Sequence, residues 1–375
     1  MKFALALAAV AALAFAPQAR AQDTVAKQMI LMDAKTGTVL MEKNADELMH
    51  PASMSKLMTL WMVFQKLRDG QLKLTDTFPV SERAWRMGGS KMFVQINSLV
   101  KLEDLLRGII VQSGNDACVV VAEGLAGTEQ KFAEQMTQEA RRIGLKQSVF
   151  KNATGWPEPQ HLMTAREIAL LSRLIIEEFP QFYGFFSEKE FVYNGIKQGN
   201  RNPLVYGRIV ADGLKTGHTE ESGYALAASM KQGDQRLILV VNGLSSMAER
   251  ARESARLMEM GFREFQTYAL FKKGDAVETA EVWLGSAKSV PLVADRDVAV
   301  TINKRMRGEL KATVKYQGPI PAPVAKGTPL ATLLVTAPGK APVEVPLVAA
   351  ADVDKLGVVA RIGAAMRHVF MGPQS

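Results

Sequence analysis

The residues with the clearest chemical potential are a serine and a lysine three positions apart, in the stretch HPASMSKLMTLWMVFQKL, residues 50–67. Side chains at positions i and i+3 of a helix are neighbours, so Lys56 can reach the hydroxyl of Ser53. A serine hydroxyl is a poor nucleophile until a base removes its proton. Lysine can be that base if burial or a second cation lowers its pKa.

The residues that follow Lys56 predict how its pKa is lowered. They are apolar on nearly every side, which is typical of a helix in the middle of a large core or in a membrane. Desolvation there disfavours the charged ammonium. The alternative is a surface lysine whose amino group reaches water. The same spacing occurs twice more in polar or loop-like surroundings, which we interpret as chance, at Ser98/Lys101 and Ser148/Lys151.

Two further motifs follow along the chain. Ser113-Gly114-Asn115 is the only S-x-N of the sequence, and Lys215-Thr216-Gly217-His218 begins a predicted strand. An earlier K-T-G precedes Ser53 on a predicted hairpin turn, and we interpret its residues as forming that turn rather than a site. Taken singly, Ser113 would be a helix cap and Asn115 a turn residue. The ordered set S-x-x-K, S-x-N, K-T-G is much more specific than its parts.

The first 21 residues are predicted to be a signal peptide. The charged start is Lys2, the apolar region covers residues 3–16, and the cleavage site is Ala19-Arg20-Ala21. The alternative is a buried N-terminal helix. Export leads to an oxidising compartment, but the single cysteine, Cys118, allows no intramolecular disulfide. The fold must therefore be held by an ordinary core.

Composition and charge restrict the classes of function. The chain of 375 residues is 47% hydrophobic and 22% charged, as in globular proteins. Its net charge of +8, or +6 without the predicted signal peptide, suits an anionic membrane surface or polymer better than nucleic acid, or reflects only solubility. The four histidines lack metal-ligand spacing, which argues against a zinc hydrolase. We expect no metal ion or cofactor.

Hydrophobic periodicity predicts an α+β domain over residues 22–273. Its predicted elements are a hairpin over 29–44, the apolar helix from Ser53 to Asp69-Gly70, helical spacing over 102–127, 129–144 and 164–179, two strands around Gln232-Gly233-Asp234, and a helix ending near Gly261.

Two shorter regions complete the chain. Residues 274–351 alternate in hydrophobicity and are punctuated by proline and glycine, which predicts a small all-β domain. Residues 352–375 are predicted to form an amphipathic helix. Its two central arginines, Arg361 and Arg367, make it a poor transmembrane span but suit a helix lying in a membrane surface. The alternative is a helix docked on the β domain.

The ordered motif set occurs in class A β-lactamases and penicillin-binding proteins. The text around it, PASMSK, SGNDAC and DGLKTGHT, resembles the low-molecular-mass penicillin-binding proteins that are D-alanyl-D-alanine carboxypeptidases. The resemblance runs from about residue 29 to residue 263, and the β domain and terminal helix match the membrane-anchored subgroup. It implies a penicillin-binding/β-lactamase-like serine transpeptidase fold for the first domain.

The resemblance also implies a function: an exported serine DD-carboxypeptidase at the periplasmic face of the bacterial inner membrane. It would remove the terminal D-alanine of peptidoglycan pentapeptides through an acyl-enzyme on Ser53, and β-lactams would inhibit it covalently. Lys56 would be the general base. Ser113 would relay the proton to the leaving amine, and Asn115 would hold the substrate backbone.

The K-T-G-H motif would form the other wall of the cleft. Lys215 would face Lys56, lower its pKa and attract the substrate carboxylate, while Thr216 and Gly217 would line the strand beside the substrate. The backbone N–H groups of Ser53 and His218 would form the oxyanion hole. The anchor for the terminal carboxylate would be one of two nearby arginines, Arg250 or Arg252.

Three positions near these motifs need comment. Thr154-Gly155-Trp156 replaces the family's frequent His-Gly-Leu. Glu167 replaces a frequent aspartate, and its longer side chain is expected to pair with His218 near the hydrolytic water. Cys118 matches a family cysteine near the cleft, and we interpret it as a small buried apolar residue.

Other functions fit the sequence less well. A β-lactamase of class A carries an E-x-x-L-N stretch, which is missing between Asn115 and Lys215. Family members that are DD-endopeptidases tend to lack the β domain. A non-catalytic wall-binding scaffold has no reason to keep a lysine in a buried helix, where an unpaired charge costs several kcal/mol.

Overall fold

The computed structural model describes residues 24–207 and 210–357. The described residues divide into two compact units, of which one contains 24–207, 210–267 and Val300–Lys304. The other contains Tyr268–Ala299 and 305–357. The predicted signal peptide and residues 358–375 of the predicted amphipathic helix lie outside the described residues. The prediction is wrong for the first six residues of that helix, 352–357, which are not helical, because Val353 and Lys355 form β-bridges to Val324 and Gly285.

The first unit is built from seven helices and nine strands among its described residues, and a tenth strand, β10 (Phe265–Phe271), leads out of it. The helices are α1 (Lys56–Arg68), α2 (Glu82–Arg86), α3 (Leu102–Ile110), α4 (Asn115–Ala126), α5 (Glu129–Arg142), α6 (Ala165–Glu178) and α7 (Met247–Glu264). The strands are β1 (Gln28–Asp33), β2 (Val39–Lys43), β3 (Thr77–Pro79), β4 (Leu99–Lys101), β5 (Glu190–Tyr193), β6 (Ile196–Gly199), β7 (Gly213–Thr219), β8 (Gly223–Gln232) and β9 (Gln235–Leu244).

An antiparallel sheet in the order β2-β1-β9-β8-β7 forms the middle layer. Alternate residues of its strands belong to different cores: Ile30 packs with the helical cluster that contains α1 and α6, and Leu31 packs with α7. The hairpins predicted for residues 29–44 and around Gly233 are confirmed. The early K-T-G forms the first turn, where the Thr36 hydroxyl donates to Asp33.

Helix α1 lies in the larger core, as its composition predicts. Eight of its residues are buried, and the ring of Phe64 stacks on Phe182 with centroids 5.3 Å apart. It ends at Asp69, where the backbone N–H donates to Gln65 O. The burial of this helix places the amine of Lys56 in a medium that disfavours its charge.

Two predicted helical stretches differ in their limits. The stretch 102–127 is two helices, because residues 111–114 turn the chain and Ser113 has φ +61°. Helix α7 continues three residues past Gly261. That glycine does not end the helix. Its role is in packing, because a Cβ there would lie 2.7 Å from Leu31 and 2.8 Å from Leu237 of the sheet. It permits close packing instead.

The second unit is all-β, as predicted. Its strands are β11 (Ala276–Trp283), β12 (Ser289–Ala294), β14 (Lys311–Lys315), β15 (Ile320–Pro321), β16 (Pro329–Thr336) and β17 (Val343–Ala349). Strand β13 (Val298–Asn303) belongs to the first unit from Val300 on. The main sheet has the order β14-β16-β17-β12-β11-β15, and its buried residues include Leu292 and Leu347. Within the described residues, no helix has both the length and the apolarity needed to cross a membrane.

Candidate active site

Ser53 lies on a single 3-10 turn, Ala52–Ser55, directly before α1. Ala52 has φ +48°, a conformation that costs energy for a residue with a side chain and tends to occur at functional sites. Two glycines let the chain approach this turn. A Cβ on Gly155 would lie 1.9 Å from Ala52 O, and one on Gly217 would lie 3.0 Å from Pro51 O. The turn is therefore wedged between strand β7 and residues 154–156.

Lys56 is fully buried and points its amine at Ser53. Its Nζ is 2.8 Å from Ser53 Oγ, 2.7 Å from Asn115 Oδ1 and 2.6 Å from Thr154 O. Burial lowers the pKa of Lys56 to about 8, with a further lowering from the charge of Arg201. A substantial fraction of the amine is therefore neutral near physiological pH.

The three contacts suit both protonation states. As an ammonium, Lys56 donates one hydrogen to each oxygen. As a neutral amine, it keeps two hydrogens for the acceptor-only oxygens of Asn115 and Thr154. Its lone pair then faces Ser53, whose hydroxyl can donate to it. The fixed acceptors thus orient the lone pair toward the proton that must be removed.

Asn115 and Ser113 form the second wall. Asn115 is the first residue of α4, and its Nδ2 donates to Gly88 O over 2.9 Å while its Oδ1 faces Lys56. Ser113 lies in the turn between α3 and α4, only 2% exposed, and lines the same cleft as Ser53. The break between the two helices therefore brings Ser113 into the cleft of the nucleophile and Asn115 to the amine of Lys56.

Strand β7 is the third wall and carries Lys215, Thr216, Gly217 and His218. Lys215 is 1% exposed, and burial, followed by the charge of Lys56, holds its pKa well below its usual value. Its Nζ donates to Thr216 O over 3.2 Å. The other three residues of the motif line the cleft.

The walls enclose a cavity of about 370 Å³, large enough for the end of a peptide. Arg250 of α7 lines it and is 6% exposed, with its Nε buried and without a hydrogen-bond partner. Arg252 lies on the exposed side of the same helix. Of the two arginines that the sequence offered as carboxylate anchor, the structure places Arg250 in the cleft.

Comparisons with known proteins agree with this arrangement. Residues 15–246 match the family model described as D-alanyl-D-alanine carboxypeptidase, and residues 265–355 match the C-terminal domain of penicillin-binding protein 5. The chain belongs to the D-alanyl-D-alanine carboxypeptidase family. It is 38% identical over 363 residues to the D-alanyl-D-alanine carboxypeptidase DacC of Escherichia coli, covering 93% of this chain and 91% of that protein.

Solved structures of the same fold include two informative neighbours. Penicillin binding protein 5 from Haemophilus influenzae has a TM-score of 0.81 and 36% identity, over 88% of this carboxypeptidase-family chain and 98% of the other. Penicillin-Binding Protein D2 from Listeria monocytogenes, in the ampicillin-bound form, has a TM-score of 0.58 and 27% identity, over 63% and 97%. The penicillin-binding-like first domain and the all-β second domain predicted from the sequence are thereby confirmed.

Two cleft residues of this family member were missed from the sequence. Arg201 lies in an irregular segment, donates to the hydroxyl of Ser90 and adds positive charge beside both lysines. No sequence pattern marks it. Tyr224 stacks on His218 with centroids 4.0 Å apart. It is the register partner of His218 across the β7–β8 hairpin, so the predicted strands could have indicated it.

The expected pairing of Glu167 with His218 is wrong. Glu167 lies in the first turn of α6, and its carboxylate accepts hydrogen bonds from Gln147 N at 2.8 Å and Ser148 Oγ at 2.5 Å. It is therefore committed to holding residues 147–148. His218 instead stacks on Tyr224. Glu167 therefore serves the fold around α6 rather than the cleft.

The departure at Thr154-Gly155-Trp156 leaves the base intact. Lys56 contacts the carbonyl oxygen of Thr154, so the side chain at that position does not affect the contact. Asn152 Oδ1 holds the turn by accepting from the N–H groups of all three residues. Cys118 is fully buried, which raises the pKa of its thiol to about 12 and keeps it protonated.

Proposed function

We propose that this protein is an exported serine DD-carboxypeptidase that removes the terminal D-alanine from peptidoglycan pentapeptides. One observation carries the proposal most directly. A buried amine with a pKa near 8 lies 2.8 Å from a serine hydroxyl, in a cleft that also contains buried cations. Membership of the D-alanyl-D-alanine carboxypeptidase family supports the same reaction.

In the first half-reaction, Lys56 removes the proton of Ser53, and Oγ attacks the carbonyl carbon between the two D-alanines. The backbone N–H groups of Ser53 and His218 hold the developing oxyanion, where one such donor typically contributes about 10²–10³ in rate. The peptide bond breaks when its nitrogen receives a proton through Ser113, which releases D-alanine. Water then hydrolyses the ester and restores Ser53.

The charge of the cleft fits a substrate that ends in a carboxylate. Arg201 and Arg250 line it, and the buried amine of Lys215 lies close enough to interact with both. The Nε of Arg250 is buried and has no hydrogen-bond partner in the protein. A buried donor without a partner is costly unless a ligand satisfies it. We assign the terminal carboxylate to this donor, with Lys215 contributing attraction from the strand side.

The proposal is tested on the chain from residue 22 with a fluorescent penicillin and a pentapeptide that ends in D-Ala-D-Ala. We expect covalent label on the tryptic peptide 44–56, which contains Ser53, and stoichiometric release of D-alanine. Rapid penicillin turnover would instead favour a β-lactamase, and preferred cleavage of crosslinked peptides an endopeptidase. Neither label nor D-alanine would favour the non-catalytic scaffold and overturn the proposal.

Arg250→Gln is expected to lower kcat/KM for the pentapeptide by about 10²-fold, because a hydrogen bond to a charged group contributes roughly 1.5–3 kcal/mol. Steady-state kinetics of D-alanine release measure the effect. The matched control is Arg252→Gln, on the exposed side of the same helix, which should change kcat/KM less than about twofold. Equal losses in both variants would contradict the assignment of Arg250.

β-Lactams are proposed as covalent inhibitors that acylate Ser53. The related Listeria monocytogenes protein was solved in an ampicillin-bound form. A β-lactam carries a carboxylate and a strained amide, which suit the same cationic cleft and the same nucleophile. Labelling should therefore be blocked by prior incubation with the pentapeptide at saturating concentration.

We further propose that the exported chain lies at the periplasmic face of the inner membrane, held by residues 358–375 of the amphipathic helix predicted from the sequence. Its apolar side and arginines suit an anionic lipid surface. Chains 22–375 and 22–357 should then differ in co-sedimentation with vesicles containing phosphatidylglycerol, and only the longer should bind. Equal binding would contradict this role of the terminal residues.

A further inference from the structure

A loop of residues 88–94, here called the cleft loop, crosses beside the S-x-N motif. Its Ser90 lines the cavity. Two of its residues have left-handed backbone conformations, Gly89 with φ +72° and Phe93 with φ +67°. Phe93 is 45% exposed, so burial of its ring does not hold it in that conformation. A non-glycine residue stays in this region only when its surroundings determine it.

Hydrogen bonds to the fully buried carboxylate of Asp116 hold Phe93 in that conformation. Its Oδ1 accepts from Met92 N at 2.9 Å, and its Oδ2 accepts from Phe93 N at 2.9 Å and from Val94 N at 3.2 Å. Oδ1 also accepts from Ala117 N at 2.9 Å, in the first turn of α4. One carboxylate therefore fastens three consecutive loop amides to the start of the helix that carries Asn115.

The cleft loop in turn fixes Asn115. The backbone N–H of Asn115 donates to Ser90 O at 2.7 Å, and its Nδ2 donates to Gly88 O at 2.9 Å. These two bonds decide which way the side-chain amide points. Its Oδ1 consequently faces the amine of Lys56. The chain of contacts thus runs from Asp116 through the loop and Asn115 to the base.

We propose that Asp116 is a positioning residue for acylation: it pins the cleft loop so that Asn115 orients the amine of Lys56 toward Ser53. Asp116 itself donates nothing to the substrate and does not line the cavity. The inference rests on the proposed function. It adds a residue outside the three motifs, whose carboxylate controls the orientation of the Lys56 amine relative to Ser53.

Asp116 also acts on the base through its charge. Its carboxylate opposes the lowering of the pKa of Lys56. Several other groups face the same amine and must be considered with it. They are Cys118 on α4, Glu129 on α5, Lys215 on β7, Arg201 and His161. Because Asp116→Asn changes none of these, removing its charge should lower the pKa of Lys56 further.

The test compares Asp116→Asn with the wild type by the second-order rate of penicillin acylation. Asparagine keeps one acceptor for Met92 but turns a donor toward Phe93 and Val94, so the loop is released on that side. Misplacement of about 1 Å near reacting groups can cost on the order of 10²-fold in rate, which is the loss we expect. KM for the pentapeptide should change much less than kcat.

The pH profile separates positioning from general destabilisation. Acylation needs neutral Lys56 and therefore rises with pH through a value near 8 in the wild type. In Asp116→Asn this rise should move to lower pH. The matched control is Asp33→Asn, another fully buried carboxylate, which accepts from Thr36 N in the first hairpin turn and from Thr267 Oγ1 on β10. It should lower thermal stability without changing the rate or the profile.

Each outcome decides one question. An inactive wild type would overturn the proposed function. An active wild type, with Asp116→Asn matching the Asp33→Asn control in rate and profile, would overturn the role of Asp116. If Asp116→Asn fails to fold, hydrogen exchange of the wild type decides instead. The amides of residues 92–94 should be strongly protected. Exchange as fast as in open loops would show that Asp116 does not hold them, and would overturn the proposal.

Discussion

Ser53→Ala is expected to abolish penicillin labelling and to reduce D-alanine release by on the order of 10⁶-fold in kcat, the loss seen when a serine hydrolase loses its nucleophile. The 3-10 turn keeps its backbone in this variant, since Ala52 and not Ser53 has the positive φ and the glycines contact Pro51 and Ala52. The cavity and its cations are unchanged. Binding of the pentapeptide should therefore persist while chemistry stops.

The two readouts are gel fluorescence after incubation with labelled penicillin and a D-alanine assay. The matched control is Ser98→Ala, at another serine three residues before a lysine, whose hydroxyl donates to Gln95 O. It should be fully active. Label retained on Ser53→Ala would show that a different side chain is acylated, and the assignment of the nucleophile would then be abandoned.

Lys56→Met is expected to slow acylation by about 10³–10⁴-fold, near the upper end of what a general base contributes. Methionine fills the buried volume without an amine, so no group accepts the proton of Ser53. The wild-type rate should rise with pH through a value near 8, because the charged amine must lose its proton first. The residual rate of the variant should not show that rise.

The variant should remain folded. Lowering the pKa of a lysine from 10.5 to about 8 means that the folded state disfavours the charged amine at neutral pH. At about 1.4 kcal/mol per pKa unit this costs roughly 3 kcal/mol, a cost that is lost as pH rises from 8 to 10.5. Lys56→Met removes this cost, and the gain in stability offsets the loss of the hydrogen bonds to the oxygens of Asn115 and Thr154. Lys66→Met, near the end of the same helix, is the control and should keep full activity.

The sequence alone established the parts whose causes are local. The spacing of Ser53 and Lys56 makes their side chains neighbours at the start of α1, and the apolar composition of α1 on nearly every side predicts its burial. Likewise, the hairpins follow from alternation and glycine turns, and the second unit follows from its β pattern. These features depend on residues within a few positions of each other, so periodicity is enough to predict them.

Other features could not be read from local patterns. The break between α3 and α4 depends on Asp116 and Asn115 binding residues 88–94, about twenty-five positions away. The choice of Arg250 over Arg252 depends on which side of α7 faces the cleft. The expectation for Glu167 was wrong because residues 147–148 compete for its carboxylate.

What the sequence by itself determined about this protein is the set of reactive residues, their order and the elements that carry them. The tertiary structure alone decided how these residues meet: Asn115 turns toward Lys56 across 59 positions, and Thr154 O does so across 98. The physical reason is the separation along the chain of the residues that must interact. Helix and strand periodicity records which face is apolar, whereas the direction of a lone pair depends on acceptors brought in from distant segments by folding.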